Sequence, residues 1–121
     1  MHEEIKEVYG HKVRVRVCGL CWKDDSLLLL DHQHLGPAHF WSAPGGGIDF
    51  GVEAPEALKQ EFLEETGLTV TVGNFLFAAE LVKPPLHAIE LFFEVHTLSG
   101  SLSPGFDPET SIQIIGQAAY M

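Results

Sequence analysis

The stretch that decides the fold is a glycine-rich segment followed by a helix rich in glutamate. It reads Gly46-Gly47-Ile48-Asp49-Phe50-Gly51-Val52-Glu53-Ala54-Pro55-Glu56-Ala57-Leu58-Lys59-Gln60-Glu61-Phe62-Leu63-Glu64-Glu65-Thr66-Gly67-Leu68. Residues 54–66 are predicted to form a helix, because Pro55 suits a first helical turn and Gly67 stands where a left-handed residue commonly ends one. Residues 44–47, one proline and three glycines, are predicted to be irregular. The segment therefore predicts a loop followed by a helix.

The glutamates near the end of this helix lie beside its apolar stripe. At about 100° per residue, with Leu58 as zero, Phe62 lies at about +40°, and Glu65, Glu61 and Glu64 lie at about −20°, −60° and −120°. Carboxylates placed near a core cost free energy unless they are paired, and acids near a helix C-terminus also oppose its dipole. A divalent cation on which the three carboxylates converge would resolve both problems, because Mg²⁺ and Mn²⁺ prefer carboxylate oxygens. The angles alone leave a solvated acidic face as the alternative.

The glycines Gly45, Gly46 and Gly47 let the backbone come close to these carboxylates. A backbone without side chains can offer a carbonyl to the same metal or amides to a phosphate. A tight turn is the simpler explanation of the triplet taken by itself. Glycines and glutamates at fixed spacing are more specific together than either feature alone.

Together these residues resemble the Nudix box. Its pattern is Gly, five residues, Glu, seven residues, Arg-Glu, an apolar residue, one residue, Glu-Glu, one residue, Gly and an apolar residue. The matching residues are Gly46, Glu61, Phe62, Glu64, Glu65, Gly67 and Leu68, and the flanking Trp41, Pro44 and Gly45 are also similar. Val52 stands where the pattern has Glu, and Gln60 stands where it has Arg. These departures remove one negative and one positive charge, as the loss of a single ion pair would.

The resemblance implies an α+β fold, an α/β/α sandwich with a mixed β-sheet, in which residues 45–67 form the catalytic loop and helix. It also implies metal-dependent hydrolysis of a nucleoside diphosphate linked to another group, such as a nucleotide, a nucleotide sugar or a dinucleotide. Glu61 and Glu65 would then be Mg²⁺ or Mn²⁺ ligands, and Glu64 a ligand or the residue that orients water. The carbonyl of Gly45 or Gly46 would be a further ligand. The alternative is a nucleotide-binding or regulatory module with weak or no turnover, which the residues at positions 52 and 60 motivate.

Members of the family often recruit one more glutamate from a later loop. Glu109 is the candidate for this catalytic role, and its rivals on predicted strands are Glu80, Glu90 and Glu94.

Two arginines and three aromatic residues outside the box are candidates for substrate binding. Arg14 and Arg16 are the only arginines, and the alternation of residues 13–17 predicts a strand with valines inward and arginines outward. The arginines are expected either to hold a phosphate or to solubilise an exposed face. Trp41 is a candidate for stacking on a base, as are Phe75 and Phe77, with packing in the core as the alternative.

The remaining pattern predicts strands on both sides of the helix. A hairpin is expected around residues 23–26, and later strands over 68–72, 75–82, 88–97 and 112–115, with Gly73-Asn74 as a break. Cys18 and Cys21 lie three residues apart on a predicted strand, so they should point to opposite faces as two core thiols.

Length and charge limit the function classes. The chain has 121 residues, 7 Lys+Arg against 17 Asp+Glu and a net charge of −10, which fits one domain over residues 1–121. Such acidity disfavours broad nucleic-acid binding, so a cation is expected to mediate contact with a small nucleotide-type substrate.

No apolar run is long enough for a membrane helix and no secretory signal is visible, which makes a cytoplasmic location the expectation. A homodimer is expected only by analogy, and the abrupt end after the last predicted strand raises the question of a missing C-terminal element.

Overall fold

The structure is a computed structural model that describes residues 12–31, 41–102 and 117–120. Its elements in chain order are β1 (Val13–Lys23), β2 (Ser26–Asp31), β3 (Trp41–Ser42), β4 (Gly45–Gly47), α1 (Ala54–Thr66), β5 (Thr69–Lys83), β6 (Leu86–Ser99) and β7 (Gln117–Tyr120). The predicted strand over 112–115 lies outside the described residues. No helix in this part of the chain is long and apolar enough to cross a membrane.

The strands form a mixed sheet in the order β3-β2-β1-β6-β5, with β4 paired to β1 and β7 paired to β2. The central strands β1 and β6 are parallel, and the other pairs are antiparallel. The predicted hairpin is confirmed, since Lys23 pairs with Ser26 across a turn in which Asp24 has φ 55°. The α+β class with a mixed sheet is also confirmed.

Helix α1 packs on one face of this sheet, called here the α1 face. Leu58 and Phe62 are fully buried against Val17 and Val95, and burying each such side chain contributes roughly 1.5–3 kcal/mol. A Cβ at Gly19 would lie 2.5 Å from Cε1 of Phe62. The close approach of α1 to β1 therefore requires glycine at this position.

The ends of α1 agree with the sequence. Gly67 has φ 77° and donates its N–H to the Leu63 carbonyl at 3.0 Å, which closes the helix. Thr66 Oγ1 donates to the Phe62 carbonyl at 2.6 Å and accepts from the Leu68 N–H at 3.1 Å. The helix begins after Glu53, whose side chain makes no cap hydrogen bond.

The valines of β1 lie on the α1 face as predicted, but their predicted burial is wrong in the first half of the strand. Val13 and Val15 are 60% and 45% exposed, whereas Arg14 and Arg16 are half-buried. Phe62 lies against Gly19, so α1 covers only the second half of β1. Alternation predicts which residues share a face, but not how far along the strand that face is covered.

Two predicted irregular segments are strand in the structure. Residues 45–47 form β4, because a Cβ at Gly45 would collide with the Val17 carbonyl oxygen, and only glycine lets the two strands pair here. Strand β5 runs through Gly73-Asn74 without a break. Register shifts between Val72 and Phe77 absorb the irregularity, as in a β-bulge.

Candidate metal and phosphate site

The glycine strand β4 is where the glutamates of α1 meet the sheet. A Cβ at Gly46 would lie 2.5 Å from both Cδ and Oε1 of Glu61. The Glu61 carboxylate, which is half-buried, therefore lies directly on the backbone of Gly46. The missing side chain of Gly46 makes room for this carboxylate.

Glu65 makes the second contact between α1 and β4. Its side chain is buried, and its Oε1 accepts a hydrogen bond from the Gly45 N–H at 2.9 Å. Such charge-assisted bonds are shorter and stronger than neutral ones, contributing roughly 1.5–3 kcal/mol. This bond ties the last turn of the helix to the glycine strand and orients the carboxylate.

Strand pairing decides which glycine carbonyl faces the carboxylates. The Pro44 carbonyl and the Ile48 N–H both bond to β1, so by antiparallel alternation Gly46 also points toward β1 and Gly45 points away. The bond from the Gly45 N–H to Glu65 agrees with that direction. The carbonyl that points away from β1, beside the carboxylates, is therefore that of Gly45. The sequence alone did not distinguish it from the carbonyl of Gly46.

Glu64 is held by the residue that departs from the Nudix pattern. Gln60 Nε2 donates to Glu64 Oε1 at 2.7 Å, one helical turn away. Val52, at the other departing position, is 43% exposed and carries no charge, so no ion pair joins the two positions. A hydrogen bond from a neutral amide orients Glu64 where the family pattern has a charged arginine.

The described residues match the chemistry of a metal site but do not form a complete one. Within residues 12–31, 41–102 and 117–120, no group of three Asp, Glu, His or Cys side chains is disposed to hold a metal ion. The predicted convergence of all three carboxylates is thus not found there. Glu61 and Glu65 of α1 and the Gly45 carbonyl of β4 supply hard oxygens beside the glycine strand, and this is the donor type that Mg²⁺ and Mn²⁺ prefer.

The two arginines have different surroundings. A Cβ at Gly47 would collide with Nη2 of Arg14, so this guanidinium lies against the glycine strand. Arg16 Nη1 instead donates to Glu90 Oε2 at 2.7 Å, with side chains 28% and 18% exposed. The structure therefore places Arg14 at the glycine strand and commits Arg16 to a carboxylate of β6.

Both cysteines are free and buried, as the sequence predicts. Cys18 Sγ lies 3.6 Å from Glu90 Oε2 on one face of β1, and Cys21 Sγ lies 3.5 Å from Thr97 Oγ1 on the other. Burial raises the pKa of the Cys18 thiol to about 12, while the Arg16 charge opposes the shift and Glu90 adds to it. The Cys18 thiol therefore stays protonated at neutral pH.

The remaining candidate residues lie on strands other than the glycine strand or outside the described residues. Trp41 is half-buried in β3, where it pairs with Asp31 of β2. Glu109 lies outside the described residues, so its role stays a prediction. Among its rivals, Glu80 pairs with His87 at 2.8 Å and Glu94 with His96 at 2.6 Å. The pairing of Glu90 with Arg16 was not predicted, because it depends on the parallel register of β1 and β6.

The fold and the glycine strand define an α+β protein with a glutamate-bearing helix docked on a mixed sheet. A family model described as NUDIX domain matches residues 10–114, so the chain belongs to the Nudix family.

Similar proteins agree with this assignment. The chain is 30% identical over 95 residues to the ADP-ribose pyrophosphatase of Methanocaldococcus jannaschii, covering 77% of this chain and 56% of that relative. It is 38% identical over 50 residues to the RNA pyrophosphohydrolase of Mesorhizobium japonicum, covering 41% of this chain and 29% of that relative. The chain thus spans little more than half of the first relative and less than a third of the second.

The fold is shared with a solved NUDIX hydrolase from Nitrosomonas europaea. The TM-score is 0.77 with 22% identity, covering 91% of this chain and 72% of that one. This likeness concerns the fold, and it confirms the fold class predicted from the sequence.

Proposed function

We propose that this chain is a divalent-metal-dependent pyrophosphohydrolase acting on a nucleoside diphosphate linked to another group. The observation that supports the proposal is the docking of two α1 carboxylates on the glycine strand, with Glu65 on the Gly45 N–H and Glu61 against Gly46. The two curated relatives are named as pyrophosphate-cleaving enzymes, which is consistent with this chemistry. A cytoplasmic location and a homodimeric state belong to the proposal on sequence and analogy alone.

Glu61, Glu65 and the Gly45 carbonyl would hold Mg²⁺ or Mn²⁺, with Glu64 as a further ligand or as the residue that orients water. The cation supplies Lewis-acid stabilisation of the pyrophosphate charge. Without it, the closely spaced carboxylates would repel a polyanionic substrate.

The chain's own residues supply the remaining steps. The Glu64 carboxylate accepts a proton from the attacking water, and the Gln60 N–H holds that carboxylate in place. The Arg14 guanidinium beside Gly47 contacts a phosphate oxygen from the other side of β4. Glu109 is retained as a candidate for an additional catalytic carboxylate.

A binding module without turnover is the second candidate, and the neutral residues Val52 and Gln60 favour it. Hydrolysis assays separate the two, using nucleoside triphosphates, dinucleotides and nucleotide sugars with Mg²⁺ or Mn²⁺. Glu61→Gln and Glu65→Gln should abolish formation of the cleavage products, which are phosphate monoesters or pyrophosphate depending on the substrate. The matched control is Glu56→Gln, which removes an exposed carboxylate of the same helix that pairs with Lys59. Hydrolysis would be established by metal-dependent turnover that is kept in Glu56→Gln and lost in Glu61→Gln and Glu65→Gln. If the folded protein turns over none of these substrates, the binding module is favoured.

A further inference from the structure

One face of the sheet lies opposite α1, and it carries polar and aromatic groups. A Cβ at Gly19 would point at Phe62 of α1, so the neighbours of Gly19 on β1 point the other way. We call this opposite side the arginine face. Its described members here are Arg14, Arg16 and Cys18 of β1, Glu90 and Phe92 of β6, and Phe77 and Ala79 of β5.

Glu90 is the polar centre of the arginine face. Its Oε2 accepts a hydrogen bond from Arg16 at 2.7 Å and is the nearest acceptor for the Cys18 thiol at 3.6 Å. Within the described part of the chain, both contacts end on Oε2, which leaves Oε1 available as an acceptor. The pairing partner of Glu90 on β5 is Ala79, whose methyl group leaves space beside the carboxylate.

An aromatic pair adjoins this centre. The rings of Phe77 and Phe92 stack with centroids 4.6 Å apart and planes 15° apart. Phe77 is 46% exposed although it belongs to a strand. A half-exposed aromatic beside an ion pair suits a flat, polar-edged ligand better than it suits bulk water.

A continuous row joins this surface to the glycine strand. Gly47 pairs with Arg16, Arg16 with Glu90 and Glu90 with Ala79, so the row crosses four neighbouring strands. Three strand spacings amount to about 14 Å, which is the span of an extended nucleoside diphosphate. The row begins where Arg14 lies against Gly47 and ends beside Phe77.

We infer that the arginine face binds the nucleoside part of the substrate, with the base against Phe77 and Phe92 and a ribose hydroxyl or base N–H donating to Glu90. Arg16 holds Glu90 in position and partly neutralises it, so the phosphates are not repelled. The inference rests on the proposed function, because that function places the phosphate end of the ligand at Gly47 and Arg14.

Binding of product-like ligands without metal tests the inference. The probes are AMP, GMP, CMP and UMP, with ribose 5-phosphate as the ligand that lacks a base, all measured by isothermal titration calorimetry. At least one nucleotide should bind tenfold or more tightly than ribose 5-phosphate. Phe77→Leu and Glu90→Gln should each remove about five- to tenfold of that advantage, since stacking and a desolvated hydrogen bond are of that size.

Two changes away from the arginine face serve as controls. Val82→Ala shortens an exposed side chain of β5 on the α1 face, and Glu56→Gln removes an exposed carboxylate of α1 that pairs with Lys59. Both controls should leave the affinities within twofold. Urea unfolding of each variant checks that the fold is kept.

Several results would overturn the inference. The inference is wrong if no nucleotide binds more tightly than ribose 5-phosphate. It is also wrong if the control variants lose as much nucleotide affinity as Phe77→Leu and Glu90→Gln. A change of oligomeric state in the Phe77 variant would show that a second copy covers this face instead. If metal-dependent hydrolysis is unaffected by Phe77→Leu and Glu90→Gln, the inference about the arginine face is wrong but the proposed function stands. If the expected binding pattern is found without any hydrolysis, the proposed function is wrong but the nucleoside site stands.

Discussion

The buried carboxylate of Glu65 accepts a hydrogen bond from the backbone N–H of Gly45, 20 residues earlier in the chain, at 2.9 Å. This bond joins the two halves of the candidate site, since one partner belongs to the helix and the other to the glycine strand. It also gives Glu65 a structural part besides the metal-binding part proposed for it. The two parts predict different effects for different substitutions.

Glu65→Ala should lower the free energy of unfolding by about 1–3 kcal/mol, because the Gly45 N–H would lose its acceptor in a buried place. Glu65→Gln keeps an acceptor oxygen and should cost less, while it weakens Mn²⁺ binding as strongly as the alanine change. Urea unfolding and Mn²⁺ titration measure the two effects. Equal stability losses in both variants would contradict the role assigned to this bond.

Gly46→Ala should weaken Mn²⁺ binding at least tenfold, because the new Cβ would occupy the place of the Glu61 carboxylate and force it away from β4. Gly73→Ala is the control, since its Cβ would meet the Glu94 carbonyl oxygen at an ordinary 3.5 Å. Metal affinity unchanged in Gly46→Ala would show that Glu61 does not bind the metal from this position.

Gln60→Leu should lower kcat roughly tenfold and leave KM nearly unchanged, because it removes the donor that orients Glu64 without altering substrate contacts. Lys59→Leu, a change at the exposed neighbour of Gln60, is the control and should leave kcat unchanged. Val52→Glu combined with Gln60→Arg restores the family pattern, and a large rise in rate would show that the neutral Gln60 amide supports Glu64 less well than an arginine. No change would show that Gln60 is already sufficient.

Stability should fall at high pH through Cys18. The pKa of this thiol is raised from the ordinary 9.0 to about 12, so the folded state keeps a proton that the unfolded chain loses above pH 9. The stabilisation is complete below pH 9 and is lost as pH rises toward 12, at roughly 1 kcal/mol per pH unit. Chemical unfolding of the native protein and of Cys18→Ala at pH 8, 9.5 and 10.5 measures it. Parallel pH curves for the two proteins would contradict the prediction.

Local signals account for the parts of the fold that the sequence predicts well. The helix over 54–66 and its end at Gly67 follow from residues adjacent in the chain, namely an early proline, strong helix formers and a terminal glycine. The hairpin at 23–26 is also local. The carboxylate positions around α1 follow from helical geometry, which is why the burial of Glu65 in the stripe agrees with its predicted angle.

Pairing between distant segments accounts for the features that the sequence pattern predicts wrongly or leaves open. Residues 45–47 have no strand propensity of their own, and they become a strand because β1 provides the partner groups and the glycines avoid its backbone. The exposure of Val13 and Val15 depends on where α1 stops covering β1, which no pattern within residues 13–17 records.

The sequence by itself determined the helix, its carboxylates and the glycines before it, because their spacing along one segment sets which groups share a side. Only the tertiary structure decided that Arg14 lies on the glycine strand while Arg16 pairs with Glu90. The two arginines are equivalent in the local alternation and differ only through the register of β1 with β4 and β6. Register depends on contacts between residues far apart in the chain, so the sequence pattern of β1 alone does not distinguish them.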